Sequence, residues 1–190
     1  MHLHADLRLD KVAFNRWLGT QQLRHEWKEG RVVPKARATR AHARIVANIL
    51  FALSDQIDTD HWSVLAAGLR IESEVFVRFP DALMEPLGGD LSACHSDRAI
   101  LLFEVLSPSS VDTDMLEKPK EYMSFETLEA YVVASQDAAL CWIWQRDPAT
   151  GTFPEKPLKV AGRGQSLSFA ARGIALPLVE IYRNIPTIDD

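Results

Sequence analysis

Two acids set into apolar strand patterns are the residues through which this chain could do chemistry. In Ile100-Leu101-Leu102-Phe103-Glu104-Val105-Leu106 six of seven residues are apolar, as in a strand buried on both faces, and the remaining one is a carboxylate. An ionised acid in such a place costs several kcal/mol unless a cation, a metal or a dense set of donors meets it. Asp81 is the second acid. Val75, Val77, Phe79, Asp81 and Leu83 alternate along residues 74–84, which read as one strand, so Asp81 continues an apolar stripe. Pro80 beside it marks an edge, a bulge or the strand's end. Two acids at the ends of neighbouring strands can converge on one hard cation, since Mg²⁺ takes carboxylate oxygens at about 2.0–2.1 Å and keeps water for a substrate. Such an ion suits phosphodiester hydrolysis, and a lysine nearby would assist the nucleophile or stabilise the developing charge. Glu104 has a structural reading as well, an acid tied to a buried arginine.

Those acids need elements to aim them. Residues 11–23 read as an amphipathic helix with Val12, Phe14, Trp17 and Leu18 as its apolar members. His25 to Val33 looks like a hairpin that reverses at Glu29-Gly30, and Pro34 ends it. Lys35-Ala36-Arg37-Ala38-Thr39-Arg40 is basic, and Thr39 is placed to cap a helix over residues 40–58. Ile45, Val46, Ile49, Leu50, Leu53 and Ile57 give that helix a sheet-packing face, with His42 at its leading end; a histidine there is a satisfied structural residue or a site residue. Residues 63–71 read as a strand before the one that carries Asp81. After the Glu104 strand, Ser107-Pro108-Ser109-Ser110 stops pairing. Residues 111–125 are helical in character but contain Pro119, so the helix kinks there or starts there. Residues 130–134 and 140–146 are strands, 156–160 and 166–169 weaker ones, and residues 173–182 a last strand and short helix. The order helix, strand, strand with Asp81, strand with Glu104, helix, strand is the backbone of the chain. Trp142 and Trp144 lie on one face of what reads as an edge strand, placed to form a buried subunit patch or to cover the core.

At 190 residues with 47% hydrophobic and 25% charged residues, the chain suits one globular domain with ragged ends. No apolar run approaches a membrane span, and Met1-His2-Leu3-His4-Ala5-Asp6 lacks the basic start and apolar core of a secretory leader. Cys94 and Cys141 have no metal-type spacing and suit a reducing cytoplasm, which is the expected location. A net charge of −5 does not advertise nucleic-acid binding, so a polyanion would need a local basic patch or metal ions.

Pro80-Asp81, then Phe103-Glu104-Val105-Leu106-Ser107-Pro108-Ser109, then Asp114-x-x-x-Lys118-x-x-x-Tyr122 and Tyr131 together resemble a bacterial family of "putative restriction endonucleases" with a PD-(D/E)xK nuclease core. His25-Glu26-x-x-x-Gly30, His42 and the closing Gly173-x-x-Leu176-x-Leu178-x-x-Ile181-Tyr182 fit the same pattern, so the resemblance covers about residues 14–183 of a single domain spanning 1–190. It implies an α+β fold: a restriction-endonuclease-like αβββαβ core with a mixed sheet, an N-terminal helix and hairpin, and C-terminal strands. It implies Asp81 and Glu104 as ligands of Mg²⁺ or Mn²⁺, with Glu26 and His42 lining the site. The superfamily's Glu-x-Lys is Glu104-Val105-Leu106 here, so the lysine must come from elsewhere, and the family pattern offers Lys118. Pro119 biases residue 118 away from helical φ/ψ, which would leave Lys118 in a turn and give Lys120 the first helical turn. On a regular helix the two project about 200° apart, and the one-turn spacing of Lys118 to Tyr122 makes Lys118 the inward residue. The acid expected after the Tyr131 strand is replaced by Ala134-Ser135-Gln136. The expected activity is metal-dependent cleavage of DNA by a homodimer, whose two-fold axis would present one site to each strand. The other readings are a catalytically silent fold kept for interaction or DNA binding, and a hydrolase of small phosphorylated molecules.

Overall fold

The computed structural model describes residues 7–35, 38–66, 68–107 and 110–186. Expectations for Met1–Asp6, for Ala36-Arg37 in the basic segment and for Pro108-Ser109 in the stop after the Glu104 strand lie outside them. In chain order the elements are α1 (Lys11–Leu18), β1 (His25–Lys28), β2 (Arg31–Pro34), α2 (Arg40–Ser54), β3 (Trp62–Ala66), β4 (Ile71–Glu72), β5 (Phe76–Arg78), β6 (Ala82–Pro86) and β7 (Leu101–Val105). They continue with α3 (Lys118–Tyr122), β8 (Ala130–Ala134), β9 (Leu140–Gln145), β10 (Leu158–Ala161), β11 (Ser166–Phe169), β12 (Ile174–Pro177) and α4 (Leu178–Ile181). Among the described residues, six strands form the main sheet in the order β10-β9-β8-β7-β6-β3. It is mixed: β7 and β8 run parallel, and the other neighbours antiparallel. The helix, the three strands ending in β7, the second helical segment and β8 supply the expected αβββαβ order.

Alternation along the strands sorts the core into two layers. Leu101, Phe103 and Val105 pack with Ala82, Met84, Val132 and the α2 residues Ile45, Ile49 and Leu53 on one face. Leu102 packs with Leu83, Tyr122, Tyr131 and Val133 on the other, so Glu104 belongs by period to the side covered by α3. Thr39 caps α2, its Oγ1 accepting the His42 N–H at 3.0 Å. The helix closes at Ser54, four residues short of the expected end, because Asp55 and Asp58 would place like charge on the negative end of its dipole. The first helix also ends early, at Leu18, where Gly19 follows; Phe14 is its buried residue and Val12 is exposed.

Two further expectations need correction. Residues 74–84 are two strands in two sheets. β5 joins β1 and β2 and β4 in a small sheet of order β2-β1-β5-β4, whereas β6 belongs to the main sheet, and Phe79-Pro80-Asp81 carries the chain from one to the other. Pro80 has no N–H for a ladder, so the pairing breaks there. The tryptophans do not lie on an edge either. β10 pairs outside β9, Trp144 is buried against Tyr131 with ring centroids 5.6 Å apart, and Trp142 packs on the same cluster. They cover the core.

Candidate active site

Register brings the two acids together. β6 and β7 pair antiparallel with Leu83 opposite Leu102 and Ala82 opposite Phe103, and one step further the same register sets Asp81 opposite Glu104. The Asp81 N–H bonds the Phe103 carbonyl at 3.0 Å, so the ladder reaches that step before the chain leaves the sheet. Facing residues in such a pair have Cβ atoms about 5 Å apart, which is why like charges there need a cation between them.

A cation is there. The Lys35 Nζ stands 3.0 Å from Asp81 Oδ1 and 3.5 Å from Glu104 Oε2, and also donates to the Phe79 carbonyl. Each acid's other oxygen is committed elsewhere. Asp81 Oδ2 accepts the Val105 N–H at 2.9 Å and faces His42 Nε2 at 3.1 Å. Glu104 Oε1 accepts from Lys118 Nζ at 2.6 Å and from the Tyr122 hydroxyl at 3.2 Å. One oxygen of each carboxylate is therefore anchored, and the other two converge on a single point of positive charge. Hard oxygens presented this way fit Mg²⁺ or Mn²⁺ chemistry. Among the described residues no three His, Cys, Asp or Glu side chains form a cage of their own, so an ion here would complete its shell with water and substrate oxygens.

Lys118 is buried, and its ammonium is shared by Glu104, Asp114 Oδ1 at 2.9 Å and Glu26 Oε1 at 3.3 Å. Its backbone is helical, φ −58° and ψ −36°, contrary to the bias expected before proline. The reason is the wide turn Thr113–Glu117, in which the Lys118 N–H bonds the Thr113 carbonyl five residues back. That π turn continues into α3 with Pro119 near its start, where a missing N–H is tolerated. Lys118 thus points inward beside Tyr122, and Lys120 is exposed.

Glu26, on β1, is held by the Phe79 N–H at 3.2 Å and by Arg78 Nη1 at 3.0 Å. Arg78 is only 2% exposed and also pairs with Glu121 at 2.7 Å and Glu117 at 3.2 Å. This buried arginine ties the hairpin, the strand break and α3 into one charge network, and through Glu26 it positions Lys118.

The electrostatics follow from that count of charges. Burial pushes the Glu26 carboxyl up, yet it is outweighed by Lys118, Lys35 and Arg78, and the carboxyl drops to about 2. Asp81 is likewise held well below the carboxylate range, burial being overcome by the His42 hydrogen bond and by Lys35. Glu104 goes the other way. Burial, with Asp81 and Asp114 adding repulsion, lifts it to about 8 despite both lysines. Lys118 is raised well above its ordinary value because its acids outweigh its burial.

The acids sit in the wall of a cavity of about 760 Å³ that is also lined by Lys35, His42, Lys118, Arg8 and Arg31. Arg8 and Arg31 are cross-strand neighbours. The five residues named from sequence, Asp81, Glu104, Lys118, Glu26 and His42, all line this one cavity. Sequence reading missed Lys35, which reads only as part of a basic segment, and Arg78. A signal for the basic wall was present: residues 1–50 hold ten Lys and Arg against four Asp and Glu, and residues 51–190 hold eleven against twenty-two. The net charge of −5 conceals that division.

A family model for Uma2, described as "Putative restriction endonuclease", matches residues 12–178. A search of the curated proteins returned no match. Among solved structures, the crystal structure of "a putative nuclease belonging to DUF820" from Anabaena variabilis is similar with a TM-score of 0.74 at 11% identity, over 92% of this chain and 97% of that one. At that identity the likeness speaks for the fold alone, the mixed α+β architecture described above. The family model spans most of the chain and every site residue named, and on that ground the chain belongs to the Uma2 family.

Proposed function

We propose that this protein is a divalent-metal-dependent endonuclease that hydrolyses phosphodiester bonds in DNA. The observation that carries the reading is the convergence of Asp81 Oδ1 and Glu104 Oε2 on one cation position, with the Lys118 ammonium against Glu104 from the other side. Asp81 and Glu104 would hold Mg²⁺ or Mn²⁺, which when bound supplies Lewis-acid polarisation of the phosphate and lowers the pKa of an attacking water.

This chain's own residues prepare that chemistry. His42 and the Val105 N–H fix the Asp81 carboxylate so that its free oxygen stays aimed into the cavity. Lys118 keeps Glu104 oriented and brings positive charge to the place where a pentavalent phosphorus would gather negative charge. Glu26, anchored by Arg78 and the Phe79 N–H, limits where the Lys118 ammonium can go. Arg8 and Arg31 give the cavity wall charge that attracts a phosphate backbone despite the acidic remainder of the chain.

The test is cleavage of supercoiled plasmid and single-stranded DNA with Mn²⁺ by the wild type and by Glu104→Ala. Nicking by the wild type that is lost in the variant supports the reading. No cleavage of either substrate would favour a silent module that binds DNA, for which one observation speaks: the Lys35 ammonium already stands at the cation position between the two acids.

A further inference from the structure

We propose that Lys35 is an internal competitor for the metal site: its ammonium occupies the cation position between Asp81 and Glu104, and a divalent ion must displace it to bind. The inference rests on the metal-dependent reading above and adds to it a residue that sets metal affinity. The carrying observation is that Lys35 meets both free carboxylate oxygens at once, 3.0 Å and 3.5 Å away, while the remaining oxygens of the same acids are anchored. An ion and an ammonium cannot share those two oxygens, because both would sit within a few Å of the same point and repel one another.

Two further features make displacement workable. Lys35 lines the cavity of about 760 Å³, and its side chain is about a fifth exposed, so a swung-out ammonium has room and water to enter. Its backbone stays anchored meanwhile, since the Lys35 N–H bonds the Arg24 carbonyl at 2.9 Å. The four-carbon stem can therefore change rotamers with no movement of the hairpin. In the metal-free state the same ammonium offsets the repulsion of two facing acids, which keeps the site shaped for an ion that has not arrived.

Competition of this kind weakens apparent metal affinity by the fraction of molecules in which the site is open; an ammonium seated in nine molecules of ten costs about tenfold. Mn²⁺ titrations by calorimetry on the full-length wild type, Lys35→Met and Lys35→Gln should show both variants binding about tenfold tighter than the wild type. A second arm uses the wild type alone: acetylation of lysines by an excess of acetylating reagent, read by peptide mass spectrometry with and without saturating Mn²⁺. The Lys35 amine should react several-fold faster with Mn²⁺ present, and exposed Lys159 should be unchanged. Equal or weaker Mn²⁺ affinity in the variants, or Mn²⁺-independent acetylation of Lys35, overturns this inference and leaves the metal-dependent reading standing. Absence of Mn²⁺ binding in wild type and variants alike overturns both.

Discussion

Lys118 Nζ lies 2.6 Å from Glu104 Oε1 although the two residues are fourteen positions apart in sequence and on different elements. A lysine supplied by the helix after the acid-bearing strand thus reaches the carboxylate that a Glu-x-Lys strand would serve from two residues away. Replacing Lys118 by Ala should lower turnover about a hundredfold, the order expected for one charge-stabilising group, in a Mn²⁺-dependent plasmid-cleavage assay. Lys120→Ala should cleave at the wild-type rate, because Lys120 is exposed. The reverse pattern would sink the assignment.

Arg78 is a second point of vulnerability. Substituting Met keeps the volume but removes the guanidinium that Glu26 and Glu121 share, leaving Glu26 to Lys118 and the Phe79 N–H and Glu121 to Lys28, and breaking a buried pair from one side costs about 3–5 kcal/mol. Urea unfolding should show a loss of that size with an unchanged slope. A loss under about 1 kcal/mol would mean that Lys118 and Lys28 alone hold these acids as well as the guanidinium does.

Acid stability should follow Glu26. Its carboxyl is lowered from 4.5 to about 2 in the folded protein, so the unfolded chain binds more protons in that interval, and the stabilisation is present above pH 4.5 and lost as the pH falls toward 2. Between pH 5 and pH 3 the wild type should lose about 2 kcal/mol more than Glu26→Gln in denaturant unfolding. Glu104 acts in a separate window with the opposite sign. Raised to about 8, it makes the folded state the better proton binder, so its contribution declines as the pH rises from 4.5 to 8. A Glu26→Gln variant with the same pH dependence as the wild type below pH 5 would refute the assignment.

Thr39 serves both fold and site. It caps α2 through the N–H of His42 and donates from the same hydroxyl to Gln136 Oε1 at 2.6 Å, so it links the helix start to the end of β8. Thr39→Ala should cost about 1 kcal/mol in thermal or urea unfolding, the usual worth of a cap. Thr39→Ser, which retains the hydroxyl, should recover most of it. Failure of Ser to do so would assign the loss to the missing methyl group.

How much of this was legible in the sequence differs from element to element. Local pattern sufficed for α2 and its Thr39 cap, for the hairpin reversing at Glu29-Gly30, where both residues take positive φ, and for β7 and β8, because apolar period and turn chemistry act over a few residues. Asp81 and Glu104 stood out for the same local reason, as charges interrupting apolar runs. What sequence could not decide is where chain segments far apart meet. The break at Phe79-Pro80-Asp81 sends two halves of one apparent strand into two sheets, a choice made by pairing partners and not by the stretch itself. β10 moves β9 from the edge to the interior. The helical backbone at Lys118 depends on a five-residue turn that absorbs Pro119, and Lys35 leaves a basic segment to stand between two acids 46 and 69 residues downstream. Buried charge is the common cause: each ion must find partners from whatever elements pack beside it, and only the folded chain specifies which those are.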